Sequence, residues 1–101
     1  MIIQQQIEQR LKATFDVHHM SLENESYKHN VPEGSESHFK LILVSNDFAG
    51  KRLVQRHQLI YASLQEEMQR IHALAMHLYT LDEWQDREQS APLSPKCLGG
   101  E

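Results

Sequence analysis

Apolar residues recur at every fourth position in the first segment of the chain. Ile3, Ile7, Leu11 and Phe15 fall on one stripe when wound at about 3.6 residues per turn, which predicts an amphipathic helix. Glu8 and Lys12 form an i,i+4 pair on another face. The period then shortens. Residues 17–24 (VHHMSLEN) alternate, with Met20 and Leu22 on one side and Ser21 and Glu23 on the other, the pattern of a half-buried strand. Residues 26–37 hold Asn30, Pro32, Gly34 and several serines and read as a loop. Residues 39–44 (FKLILV) are apolar on both faces apart from Lys40, as befits a central strand. Asn46, Asp47 and Gly50 then supply turn chemistry. From Leu53 a helical stripe runs through positions 53, 57, 60, 61, 64 and 68 into a charged end at 65–70. Residues 71–79 (IHALAMHLY) predict a third strand. Residues 81–87 predict a short helix, with Thr80 as N-cap and Glu83 completing a capping box. The order α-β-β-α-β-α predicts an α+β fold, a three-stranded sheet with helices packed on one face.

Length and composition narrow the class. The chain has 101 residues, 40% of them hydrophobic, enough for one domain with a modest core. That domain is expected over 1–87. Residues 88–101, with Pro92, Pro95, Gly99 and Gly100, are expected to form a disordered tail. No window approaches the roughly 18 apolar residues of a spanning helix. The start MIIQQQIEQR lacks the pattern of a signal peptide. A single cysteine, Cys97, excludes an intrachain disulfide and an all-cysteine zinc site. These features predict a cytoplasmic protein with no membrane role, a monomer or weak dimer on its own.

The net charge of −4 argues against a generally nucleic-acid-binding surface, but it is unevenly placed. Between residues 26 and 60, Lys28, Lys40, Lys51, Arg52 and Arg56 outnumber Glu33, Glu36 and Asp47. Acid gathers at Glu23 and Glu25, at Glu66 and Glu67, and from Asp82 onward. Lys51, Arg52 and Arg56 open the second helix. Such a cluster is usually a solvated helix face, and it is also what a phosphate backbone contact requires. No aromatic residue interleaves with it in sequence as a stacking platform would.

Catalysis has little to stand on. No G-x-S-x-G, Walker loop or H-E-x-x-H is present, and Cys97 sits in the expected tail, so no enzyme activity is expected. Of the seven histidines, His57 reads as a core-edge residue on the helix stripe. His18 and His19 read as surface or packing residues, His77 as a residue of the less buried strand face, and His38 as a partner of loop backbone. His29 and His72 differ. The first lies in a loop of small residues, the second at the mouth of the last strand, where a side chain can emerge from the sheet. Neutral imidazole is a common metal ligand, but two nitrogens do not complete a metal site.

Three stretches, ESYKHNVPEGSESHFKLILVS (25–45), FAGKRLVQRH (48–57) and IHALAMHLYTLDEW (71–84), are similar to those of the BolA family. The resemblance covers roughly residues 1–86 and implies a class II KH-like fold. It implies two lines of function. One is DNA-binding transcriptional regulation at promoters, linked to stress, cell shape and biofilm growth. The other is partnership with a monothiol glutaredoxin that, with glutathione, shares a [2Fe–2S] cluster in iron–sulfur trafficking or iron sensing. In that mode His72 and His29 match the family's cluster ligands, and the isolated protein is expected to hold no cofactor. The chain departs from KH domains in lacking a G-x-x-G loop, since Gly50 is followed by Lys51–Leu53. It departs from the family's frequent Arg-His-Arg with Arg56-His57-Gln58. If one face serves both partners, cluster binding and DNA binding compete. The alternative is a purely protein-binding adaptor with no DNA or metal role.

Overall fold

The computed structural model describes residues 2–26 and 36–88. Helix α1 spans Ile2–Thr14, strand β1 Val17–Asn24 and strand β2 His38–Ser45. A 3-10 turn at Asn46–Phe48 leads to α2, Leu53–Ser63. A single turn, α3 (Gln65–Met68), then precedes β3 (Ala73–Tyr79) and α4 (Leu81–Asp86). The sheet order is β1-β2-β3, with β1 antiparallel and β3 parallel to β2. A parallel neighbour requires a crossover, and α2 and α3 provide it.

The period-four stripe on α1 is real. Ile7, Leu11 and Phe15 enter one core cluster with Leu22, Phe39, Leu41, Leu43, Ile60, Leu64, Leu74 and Leu78. The register explains which strand residues join it. Leu43 pairs with Met20 and Leu78, and Leu41 with Leu22 and Met76, so one sheet face is continuous apolar surface under α1 and α2. On the other face, His19, Val44 and Tyr79 are neighbours across the three strands. Trp84 of α4 turns back over that end, its ring 5.1 Å from His19 and 5.6 Å from Tyr79. The Thr80–Glu83 capping box that starts α4 forms as expected, Thr80 N–H donating to Glu83 Oε1 and Glu83 N–H to Thr80 Oγ1.

Two expectations for the crossover need correcting. The buried stripe of α2 is Arg56, Ile60 and Leu64 rather than 53, 57 and 61. Leu53 is 65% exposed and Tyr61 45%. The difference is one residue, a rotation of about 100°, and its cause is Arg56, whose guanidinium bonds inside the fold. The helix also does not run on through residue 68. It breaks at Leu64, whose backbone (φ −114°, ψ 28°) leaves the helical region. Beyond the break, Glu67 is buried and meets Arg10 of α1 at 3.1 Å. Strand β3 begins at Ala73, two residues later than expected, with Ile71 still in the core. No helix of the described residues is long and apolar enough to cross a membrane. The expected tail lies outside the described residues from position 89 onward.

Candidate functional sites at the two ends of the sheet

The sequence offers two groups of functional residues, and the fold sends them to opposite ends of the sheet. His38 opens β2 and His72 immediately precedes β3. Because β2 and β3 are parallel, both imidazoles stand at the same rim. Lys51 and Arg52 follow the other end of β2. An eight-residue strand at about 3.3 Å per residue places the two groups roughly 25 Å apart.

At the first rim His72 is exposed and His38 half-buried, with ring centres 4.9 Å apart and planes tilted by 44°. The backbone beneath them is tied down. Ser37 C=O accepts from both His72 N–H (2.7 Å) and Ala73 N–H (3.0 Å). Ser26 Oγ, itself buried, accepts from Ser37 N–H (3.0 Å) and His38 N–H (3.1 Å) and donates to Asn24 Oδ1 (2.6 Å). Glu36 accepts from Ile3 and Gln4 N–H at the start of α1, where unpaired donors favour a carboxylate. Ser37 Oγ lies 2.9 Å from His38 Nδ1, so among the described residues His38 meets a side-chain hydroxyl and another imidazole. Ser26→Ala leaves two backbone donors without their acceptor. It is expected to lower stability by about 1–3 kcal/mol, read from the urea denaturation midpoint.

His29 lies outside the described residues, so its position relative to His72 is not part of this geometry. Among the described residues no group of three or more His, Cys, Asp or Glu could hold a metal ion. Among the described residues the rim therefore offers two imidazoles, too few to complete a metal site on their own. The other described histidines are placed apart from this rim. His19 stacks on Trp84, and His57 half-emerges from α2. His77 sits on the outer sheet face, where burial and then Lys40 and Arg87 hold its pKa below the usual imidazole value.

At the opposite end, Gly50 adopts φ +75°, a conformation that costs residues with a Cβ, and this turn delivers Lys51 and Arg52 to α2. Both are exposed. Arg56, expected beside them as a nucleic-acid contact, is not presented to a partner, being only 6% exposed. Its Nε donates to Lys51 C=O (3.0 Å), Nη1 to Leu78 C=O (3.0 Å), and Nη1 and Nη2 to the two oxygens of Glu83 (2.6 and 3.1 Å). Those donors are occupied within the fold. A phosphate would have to displace these partners to reach them.

Arg87 comes to the same end of the sheet. It lies 5.2 Å from the Tyr79 ring centre and lines an open groove of about 540 Å³ with Lys51, Arg52 and Tyr79. The groove thus carries Lys51, Arg52 and Arg87, the Glu83-bound Arg56 and an aromatic face, against Asp86 and Glu83. Tyr79 and Arg87 were not legible as members of a basic site, because they lie far along the chain from Lys51. The signal that would have found them is the parallel β2–β3 pairing, which brings the ends of those strands together.

The comparisons with known proteins accord with this architecture. The family model described as BolA-like protein matches residues 11–83. The chain is 47% identical to the DNA-binding transcriptional regulator BolA of Escherichia coli over 100 residues, 98% of this chain and 95% of the relative. It is 51% identical to the protein of the same name from Haemophilus influenzae, covering 98% and 97% of the two. Among solved structures, the solution structure of BolA1 from Mus musculus superposes with a TM-score of 0.82 at 37% identity, covering 96% of this chain and 79% of that one. A three-stranded mixed sheet with this element order, together with identity along almost the whole chain, places this protein in the BolA family.

Proposed function

We propose that this protein is a non-enzymatic, DNA-binding transcriptional regulator of the cytoplasm whose DNA contact is the groove formed by Lys51, Arg52 and Arg87. The observation that carries the reading is the exposed Lys51–Arg52 pair at the start of an eleven-residue helix. It lies in a chain about half identical to bacterial proteins named for DNA binding. Cations at a helix N-terminus add point charges to backbone donors that already favour phosphate. Such contacts give affinity without base readout, and no G-x-x-G clamp is needed. Lys51→Ala/Arg52→Ala is expected to weaken duplex binding uniformly across sequences. It should also reduce the slope of log K against log salt by about 2. Fluorescence anisotropy at several salt concentrations reads it, and an unchanged slope removes this surface from the proposal.

The His38–His72 rim favours a second reading, partnership with a monothiol glutaredoxin that shares a [2Fe–2S] cluster. The rim's donor set fits. An iron–sulfur centre accepts imidazole in place of thiolate, which raises its potential, and glutaredoxin with glutathione would supply the thiolates this chain lacks. In this reading His72 is the ligand presented to solvent, His29 the loop ligand, and Ser26, Ser37 and Glu36 hold the rim in shape. Because the groove and the rim stand at opposite ends of the sheet, the two partners do not compete for one face. A ternary complex of DNA, this protein and glutaredoxin is the outcome expected from that separation.

A further inference from the structure

The contact between His38 and His72 goes beyond what a single exposed ligand requires. We propose that these two side chains form a two-imidazole chelate for a borderline divalent transition-metal ion such as Zn²⁺, in the isolated chain and independently of glutaredoxin. Metal–nitrogen distances are about 2.0–2.1 Å, so two imidazoles on one ion, at angles of about 90–110°, have ring centres about 4.5–5.2 Å apart. The observed separation is 4.9 Å. Two imidazoles packed together without an ion also fall in that range, so distance alone does not decide. The surroundings do.

A ligating histidine commonly engages its second ring nitrogen in a hydrogen bond that fixes tautomer and orientation. Ser37 Oγ occupies that role at His38 Nδ1, 2.9 Å away. The backbones of both histidines hang from one residue. Ser37 C=O receives the N–H of His72, and Ser37 in turn precedes His38, whose own N–H is held by the buried Ser26 hydroxyl. Bringing the two rings to one ion therefore orders little that is not already ordered, the circumstance in which few ligands suffice. Two nitrogens leave coordination positions open to water or a partner, the form of an exchangeable site rather than a closed structural one. A cluster iron offered by a partner would meet the same two nitrogens, but the proposal does not need it.

The test is a Zn²⁺ titration of the isolated full-length chain, followed by calorimetry and by the long-range ¹H–¹⁵N spectrum of the imidazoles. The wild type is expected to bind one ion, with the ring signals of His38 and His72 shifting together. His38→Ala and His72→Ala should each weaken binding by at least about tenfold, and Ser37→Ala by about tenfold through lost orientation. His29→Ala should bind as the wild type does. Should His38→Ala prove poorly folded, His38→Gln and the wild-type ring signals give the same answer. Binding that is intact without His38, or a wild-type titration that leaves the His38 ring unmoved, overturns the proposal. A titration dependent on His72 and His29 but not on His38 overturns it too. None of these outcomes depends on whether glutaredoxin binds.

Discussion

Arg56→Ala is expected to lower the unfolding free energy by about 2–4 kcal/mol, and to do so without removing a DNA contact. The guanidinium joins the start of α2, the end of β3 and the first turn of α4. It serves Lys51 C=O, Leu78 C=O and the Glu83 carboxylate, and it lies 5.9 Å from the Phe48 ring centre. Truncation leaves the Leu78 carbonyl without this donor in a buried setting. It also leaves Glu83 without its counter-ion, although Glu83 is 45% exposed and rehydrates, which keeps the loss below that of a fully buried pair. The Arg56 hydrogen bond holds the Glu83 carboxyl below its usual range. A depressed folded pKa means that this contribution is complete above the unfolded value and disappears as the pH falls through the folded one. The gap between wild type and Arg56→Ala should therefore narrow at acid pH. Urea denaturation at neutral and acid pH checks both points, and a neutral-pH loss below about 0.5 kcal/mol, ordinary for a surface change, would contradict the assignment.

The second large effect is functional and leaves stability alone. His72→Ala is expected to abolish the change in visible absorption and circular dichroism when the protein is mixed with a cluster-loaded monothiol glutaredoxin. The ring is exposed and its backbone N–H, which bonds Ser37 C=O, survives in alanine, so the unfolding free energy should change by less than about 0.5 kcal/mol. A variant that reproduces the wild-type spectrum would remove the cluster reading while leaving the DNA reading standing.

Much of the fold was legible because periodicity reports burial directly. The stripe Ile3–Ile7–Leu11–Phe15, the alternation of β1 and the Thr80–Glu83 box all appear where the pattern puts them. The helix α2 misled for a definite reason. Its inward side is led by an arginine, and a hydrophobic template counts a buried cation as solvent-facing. The same side chain was therefore read as part of a solvated helix face, whereas it is buried with its donors engaged inside the fold. The rim was half legible. His72 announced itself by standing at a strand's mouth. Its partner His38 did not, since only the parallel β2–β3 register shows that two residues 34 positions apart share an edge. Tyr79 and Arg87 joined the basic groove through that same pairing.

On the proposed reading, DNA meets the α2 end of the sheet and leaves the histidine rim open. Backbone ¹H–¹⁵N chemical-shift mapping during titration with a promoter duplex distinguishes the two ends. Perturbations should concentrate at Lys51, Arg52, Leu53 and Arg87, with Ser37, His38, His72 and Ala73 unmoved. Shifts concentrated at the rim, with the α2 end silent, would contradict it.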